Sequence, residues 1–197
     1  MLARHGYGVL LFDRRGEGRS DGDPNGFGWG GDEDIRAAID FLKERPDVEP
    51  GRIGGLGLSV GGEMMLEAAS EKADLAAVIS EGAGARSIRE DIDAMKGAEK
   101  ILGIPFQGLT TASVAVFSNT AVPPKITDLM PKISPTPVLL IRSGRRDERL
   151  NLGYYRAAQE PKQIWAAGGE HTAAIHERPA EYERRVVAFL DDALLGK

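Results

Sequence analysis

The sequence predicts an α/β fold in which a mostly parallel β-sheet is flanked by helices. Short apolar runs alternate with longer segments of helical periodicity, and this alternation is typical of parallel strands joined by helical crossovers. Most of the runs are almost continuously apolar, as expected of strands that are covered on both faces. The predicted strands are residues 8–12, 53–58, 75–79, 137–141 and 163–167.

Apolar side chains at helical spacing predict the helices that connect these strands. One apolar stripe with a period of 3.6 residues runs from Ile35 to Leu42 and ends at Pro46, because proline interrupts a helix. A second stripe over residues 182–194 predicts the last helix of the chain. Further helices are predicted over residues 61–71 and 148–159.

Length and composition exclude several classes of protein. The 197 residues, of which 42% are apolar, suit a single domain with a substantial core. A formal charge of −5 provides no basic surface, so we expect no nucleic-acid partner. The absence of cysteine excludes disulfides, thiolate zinc sites and cysteine nucleophiles.

Residues 84–132 interrupt the strand pattern and are predicted to form a helical cap on a single domain of residues 1–197. Within them, residues 101–122 carry no charge and could span a bilayer. Pro105, Gln107 and Asn119 make a mobile apolar cap the preferred interpretation. Because the first residues lack a long apolar signal segment, we expect a cytoplasmic protein without a membrane span.

The most informative motif is G-x-S-x-G at residues 57–61. It directly follows the predicted strand 53–58 and opens a helical segment, which is the strand-turn-helix setting of a nucleophile elbow. Such a turn lifts the serine hydroxyl above the carboxyl edge of the sheet. We therefore predict that Ser59 is a catalytic nucleophile.

A serine hydroxyl needs a neighbouring base to take its proton, and the chain contains three histidines. His171 is the preferred base, because it follows the last predicted strand and should lie in a loop at the same sheet edge as Ser59. His176 is close to the start of the last helix, and His5 precedes the first predicted strand. Both remain alternatives.

The imidazole in turn needs a carboxylate that fixes its tautomer and stabilises its charged form. Asp147 is the preferred acid, because it follows the predicted strand 137–141 and falls in another loop at that edge. Glu81 and Glu148 remain possible acids, and Asp147 could instead cap a helix.

The chain order Ser59, Asp147, His171 resembles that of the α/β-hydrolases. Residues 6–20 also resemble the D-x-R-G-x-G-x-S segment that follows the fourth strand in this superfamily; they read GYGVLLFDRRGEGRS. The similarity is greatest to the dienelactone-hydrolase-like and carboxylesterase branch, with serine where dienelactone hydrolase has cysteine. This resemblance implies hydrolysis of small-molecule carboxylic esters through an acyl-enzyme, without a cofactor.

One departure from the superfamily bears on activity and on assembly. Nothing in the chain corresponds to the three strands and the helix that precede residue 8 in a complete α/β-hydrolase. In the superfamily these elements supply one of the two oxyanion donors, and the other is the N–H that corresponds to Val60 here. Losing one donor typically lowers turnover by about 10² to 10³. Residues 8–12 must then either pair with residues 53–58 or leave an open edge, so we expect a homo-oligomer.

Three aromatic residues are candidates for substrate binding. Trp29 could line an acyl pocket or belong to the core. Phe106 and Phe117 lie in the predicted cap and would shape a pocket for short to medium acyl chains. No metal site is expected, since the histidines and carboxylates lack ligand spacing such as H-E-x-x-H.

Two other functions remain open from the residues alone. Gly55, Gly57 and Gly61 form a G-x-G-x-x-x-G pattern, and Glu81 follows where a dinucleotide-binding oxidoreductase places its ribose-binding acid. A hydrolase without one oxyanion donor could also be catalytically impaired and act as an interaction protein. The ester hydrolase is preferred because it gives His171 a role.

Overall fold

A computed structural model describes residues 1–22, 27–95, 97–118 and 120–197, without the side chains of residues 94, 98–100, 102, 118 and 145–148. Among the described residues, the strands are β1 (Gly54–Leu58), β2 (Ala77–Glu81), β3 (Val138–Arg142) and β4 (Lys162–Ala166). They form one four-stranded parallel sheet in the order β1-β2-β3-β4. The predicted α/β fold is therefore confirmed.

The helices flank this sheet and include those that the apolar stripes predict. Their bounds are α1 Gly31–Lys43, α2 Val60–Ser70, α3 Ile88–Ala94, α4 Ala98–Ser118, α5 Ile126–Ile133, α6 Arg145–Ala157, α7 Ala174–Glu177 and α8 Pro179–Leu190. Short 3₁₀ turns occur at Leu2–His5 and Pro50–Arg52, and a π-helical turn at Asp191–Leu195 extends α8.

Two apolar layers cover the two faces of the sheet. On one face, α2 and α6 bring Leu66 and Tyr154 into a buried cluster with Val78. On the other face, α8 brings Val186 into a second cluster with Ile79. Val78 and Ile79 face opposite layers because side chains alternate along a strand. This explains why β2 is buried along its whole length.

The predicted strand at residues 8–12 is wrong. These residues belong to no strand, and the side chain of Leu11 is 88% exposed. A strand needs a hydrogen-bonded neighbour, and β1 lies at the edge of the sheet, paired with β2. The open edge, rather than direct pairing with residues 53–58, is thus the arrangement observed. The homo-oligomer expected from it stays a prediction.

The segment predicted as a cap, residues 84–132, forms α3, α4 and α5. Helix α5 belongs to the core, since Ile126 and Met130 are fully buried and the helix packs against α2. Helix α4 instead exposes Ile101 and Val116 by 77% and 76%. The cap role of α3 and α4 stays a prediction. No helix in the described part of the chain has the length and apolar character that crossing a membrane requires.

A buried cluster of charged side chains joins α2 to the loop that follows β2. Arg86 is buried, forms an ion pair with Glu67 and donates a hydrogen bond to the carbonyl oxygen of Gly28 at 3.0 Å. The Oε1 atom of Glu63 accepts a hydrogen bond from the N–H of Gly84 at 2.9 Å. These contacts fix the loop after β2 to the first turns of α2.

Burial raises the pKa of Glu63 to about 7, although the Arg86 guanidinium favours its ionised form. Burial raises the pKa of Glu67 to about 7 as well. The folded chain therefore holds protons that the unfolded chain releases near pH 4.5. The stabilisation associated with each protonated carboxyl is complete below that pH, and it is lost as the pH rises to about 7.

We predict that Glu63→Gln makes stability less dependent on pH. Glutamine keeps an oxygen that can accept from the N–H of Gly84 but carries no charge to bury. Between pH 5 and pH 8, the wild type should lose about 2 kcal/mol more of its free energy of unfolding than the variant. Urea unfolding at the two pH values measures this difference. The exposed Glu44→Gln serves as the control and should follow the wild type; parallel curves for Glu63→Gln would contradict the prediction.

Candidate active site

Ser59 forms the sharp turn between β1 and α2. Its backbone has φ 52° and ψ −122°, a conformation that a residue other than glycine adopts only under strain. The N–H of Ser59 donates to the carbonyl oxygen of Glu81 at 2.8 Å, and its carbonyl oxygen accepts from the N–H of Glu63 at 3.1 Å. These hydrogen bonds hold the strained turn at the carboxyl edge of the sheet.

Close packing of α2 against β1 and β2 requires glycine at two positions near Ser59. A Cβ atom on Gly57 would lie 2.3 Å from the carbonyl carbon of Gly61, and one on Gly62 would lie 2.4 Å from Oγ of Ser80. A Cβ atom on Gly61 would meet nothing within 4 Å. Glycine is thus required at position 57, which the G-x-S-x-G motif includes, and at position 62, which lies one residue beyond it.

The structure brings His171 to Ser59. Its Nε2 atom lies 2.9 Å from Oγ of Ser59, a distance that permits direct proton transfer. His171 lies in the loop after β4, above the loop after β2. A Cβ atom on Gly82 would come within 3.3 Å of Nδ1 of the imidazole, so the ring rests directly on the backbone of Gly82.

The other two histidines lie elsewhere. His5 is in the 3₁₀ turn near the amino terminus, with its Nε2 atom 2.7 Å from Oε1 of Glu183. His176 is exposed on α7. Of the three histidines, His171 is the one that the structure places at Ser59.

The preferred acid, Asp147, and its neighbour Glu148 belong to residues 145–148, whose side chains lie outside the described residues. The contact between Asp147 and His171 therefore stays a prediction. The loops around it are joined: the N–H of Gly144 donates to the carbonyl oxygen of Gly169 at 3.1 Å. This bond ties the loop after β3 to the loop that carries His171.

The environment of Glu81 does not fit the ribose-binding role that its position in the sequence suggests. It ends β2, and its side chain is fully buried. Its Oε1 atom accepts hydrogen bonds from Oγ of Ser143 at 3.2 Å and from the N–H of Ala174 at 3.1 Å. A carboxylate enclosed in this way cannot reach a ribose, so the dinucleotide-binding hypothesis loses its acid.

The remaining predicted site residues differ in how far they are buried. Val60 begins α2, where backbone N–H groups have no acceptor within the helix. Trp29 is buried, at 5% exposed. Phe106 and Phe117 lie on α4 and are 70% and 87% exposed. The oxyanion and substrate-binding roles of these residues stay predictions. Within the described residues, no three His, Cys, Asp or Glu side chains are grouped so as to hold a metal ion.

Comparison with solved structures shows the fold class independently. The alpha/beta hydrolase GrgF from Penicillium sp. sh18 superposes with a TM-score of 0.74 at 22% identity, covering 94% of this chain and 80% of that one. The Pyrococcus furiosus esterase Pf2001 gives a TM-score of 0.73 at 24% identity, covering 98% and 74%. At these identities the likeness concerns the fold alone, and the fold agrees with the predicted one.

Sequence comparison identifies a longer relative and a matching family. The uncharacterized protein YfhR of Salmonella typhi is 31% identical over 206 residues, covering 100% of this chain and 66% of that protein. The chain thus spans slightly less than two thirds of this relative's length. The family model for X-Pro dipeptidyl-peptidases (S15 family) matches residues 1–121, which include the Ser59 turn. Because this match extends over more than half of the chain, the protein belongs to the X-Pro dipeptidyl-peptidase (S15) family.

Proposed function

We propose that the protein is a serine hydrolase that cleaves carboxylic esters with short to medium acyl chains. The observation that carries the proposal is the 2.9 Å separation between Nε2 of His171 and Oγ of Ser59. Nucleophile and base at this distance, on a strained strand-to-helix turn, suit acyl transfer through a covalent intermediate. The α/β-hydrolase fold supports the same class of reaction.

The geometry suggests the following sequence of proton transfers. Nε2 of His171 takes the proton from Oγ of Ser59 while Oγ attacks the carbonyl carbon of the ester. The N–H of Val60 donates to the oxyanion that forms. The imidazolium then gives its proton to the departing alkoxide, and water repeats these steps to release the acid. Asp147 is proposed to accept from Nδ1–H of His171 and thereby to fix its tautomer.

A peptidase is the second candidate, because the matching family is described as X-Pro dipeptidyl-peptidases. The same nucleophile and base could attack a peptide bond, but an amide carbonyl is less electrophilic than an ester carbonyl, and its nitrogen leaves only after the imidazolium has protonated it. We prefer the ester because it needs less activation. Parallel assays with p-nitrophenyl esters and X-Pro p-nitroanilides decide between the two substrates.

We predict that Ser59→Ala abolishes turnover of p-nitrophenyl acetate and butyrate. Removing Oγ removes the atom that forms the acyl-enzyme, so kcat/KM should fall by at least about 10³. Labelling by a fluorophosphonate should disappear together with turnover. The control Ser20→Ala should hydrolyse and label like the wild type.

Two results would contradict this assignment. Equal rates for the wild type and Ser59→Ala would remove the enzyme hypothesis and favour the impaired hydrolase that acts as an interaction protein. Labelling that persists in Ser59→Ala would move the nucleophile to another residue.

We predict different effects for the two histidines that follow β4 in the chain. His171→Ala should lower kcat by about 10³ or more, because no base then contacts Oγ of Ser59. His176→Ala should stay within about twofold of the wild type, because its side chain lies exposed on α7. Steady-state ester hydrolysis measures both effects. A large loss in His176→Ala with an active His171→Ala would reverse the assignment of the base.

We predict that Asp147→Asn lowers kcat by about 10² to 10⁴, because asparagine cannot stabilise an imidazolium. The neighbouring Glu148→Gln provides the matched control and should retain activity. Thermal unfolding of both variants checks that the fold is kept. If Glu148→Gln is the inactive variant, the acid is misassigned by one residue.

A further inference from the structure

We propose that Glu81 is a positioning residue that aligns the nucleophile with its base by fastening the turn of Ser59 to the loop of His171. The inference rests on the proposed function, because alignment matters only if these two side chains react. It assigns Glu81 a role distinct from that of a triad acid or a ribose ligand.

The backbone of Glu81 holds the nucleophile turn. Glu81 lies opposite Leu58 in the pairing of β1 with β2, and its carbonyl oxygen accepts from the N–H of Ser59 at 2.8 Å. This hydrogen bond continues the ladder of the sheet by one residue into the strained turn. The position of the Ser59 backbone therefore depends on where β2 ends.

The side chain of Glu81 holds the base loop at two points. Its Oε1 atom accepts from the N–H of Ala174 at 3.1 Å and from Oγ of Ser143 at 3.2 Å. Oγ of Ser143 in turn accepts from the N–H of Thr172 at 3.0 Å. The loop is thus fixed one residue and three residues after His171. Thr172 has φ 54°, so this part of the loop must be held by its contacts.

The residue after Glu81 completes the arrangement. Gly82 has φ 64°, and a Cβ atom there would lie 3.3 Å from both Cε1 and Nδ1 of His171. The imidazole therefore rests on the backbone that leaves β2. A shift of the Glu81 backbone would move the support of the ring and the N–H acceptor of Ser59 together.

The burial of Glu81 indicates that this arrangement has an energetic cost. The side chain is fully buried, and burying a carboxyl group is unfavourable unless its hydrogen bonds compensate. The bonds made by Oε1 go to the base loop and to Ser143, which supports that loop. Glu81 also interacts with the buried Tyr182 hydroxyl of α8, and burial together with this carboxyl raises the pKa of that tyrosine. Part of the compensation therefore comes from the bonds that align the site, and part from the core.

Replacement of Glu81 by alanine and by glutamine tests the proposal. Glu81→Ala removes the acceptor of both hydrogen bonds, whereas Glu81→Gln keeps one amide oxygen in its place. We expect kcat for p-nitrophenyl acetate to fall about 10- to 100-fold in Glu81→Ala while KM stays within about twofold, since misalignment affects the chemical step. Fluorophosphonate labelling of Ser59 should slow by the same factor. Glu81→Gln should recover to within about threefold of the wild type.

Two further variants separate alignment from stability. Asp32→Ala is the matched control, because Asp32 is also a buried acidic residue but pairs with Arg36 within α1. It should unfold at a lower temperature but keep its kcat. Ser143→Ala removes the link between Glu81 and Thr172, and it should lower kcat by a smaller factor than Glu81→Ala. If Glu81→Ala does not fold, Ser143→Ala and Glu81→Gln carry the test.

The outcomes distinguish the two proposals. A wild type that labels and hydrolyses esters, together with an equally active Glu81→Ala or Ser143→Ala, would refute the positioning role and leave the proposed function intact. A loss in Glu81→Ala that glutamine does not restore, or that Asp32→Ala shares, would mean that Glu81 acts through stability alone. A wild type that neither labels nor turns over would remove the proposed function, and the positioning role with it.

Discussion

The parallel pairing of β1 with β2 is the interaction on which the site depends. In this register Leu58 lies opposite Glu81, and the next N–H, that of Ser59, still donates to the carbonyl oxygen of Glu81. Ser59 is thus the last residue whose N–H bonds to β2, and the chain leaves the sheet after it. A shift of one residue would turn every side chain of β1 to the other face of the sheet. Ser59 would then lose both its acceptor and its place below His171.

The loop after β2 forms the floor of the site, and elements on several sides of it hold it in place. The N–H of Gly84 donates to Glu63 of α2 at 2.9 Å, and the carbonyl oxygen of Gly84 accepts from the Tyr154 hydroxyl of α6 at 2.6 Å. The carbonyl oxygen of Ala83 accepts from Nδ2 of Asn151 at 3.0 Å. Because these three partners are buried, the floor is tied to the interior of the protein. Precise support of this kind is what the proposed proton transfer over one hydrogen bond requires.

The local features of the site could be predicted from the sequence, whereas the features that depend on contacts between distant residues could not. The turn at Ser59 and its meeting with His171 were predictable, because loops that follow parallel strands share one edge of the sheet. The strand at residues 8–12 was not, because an apolar run shows that a segment can pair but does not show whether a neighbour is present. The close packing at Gly62 and the hydrogen bonds of Glu81 to the His171 loop were not predicted, for a related reason. Their importance comes from contacts with Ser80 and with the His171 loop, which lie far along the chain and leave no pattern near either residue.

Ser59 directly follows β1, which lies at the edge of the described sheet, and this affects how its geometry can be kept. Within the described residues, β1 has hydrogen bonds from β2 on one side, and an edge strand held by one ladder opens more easily than a central one. Glu81 compensates for this at Ser59. Its carbonyl oxygen accepts from the N–H of Ser59, and its side chain accepts from the N–H of Ala174. The end of β1 is thereby tied to the segment that follows β4. A second chain at the free edge of β1 would add a ladder to the strand that carries Ser59. The expected homo-oligomer would therefore act on the alignment of Ser59 with His171.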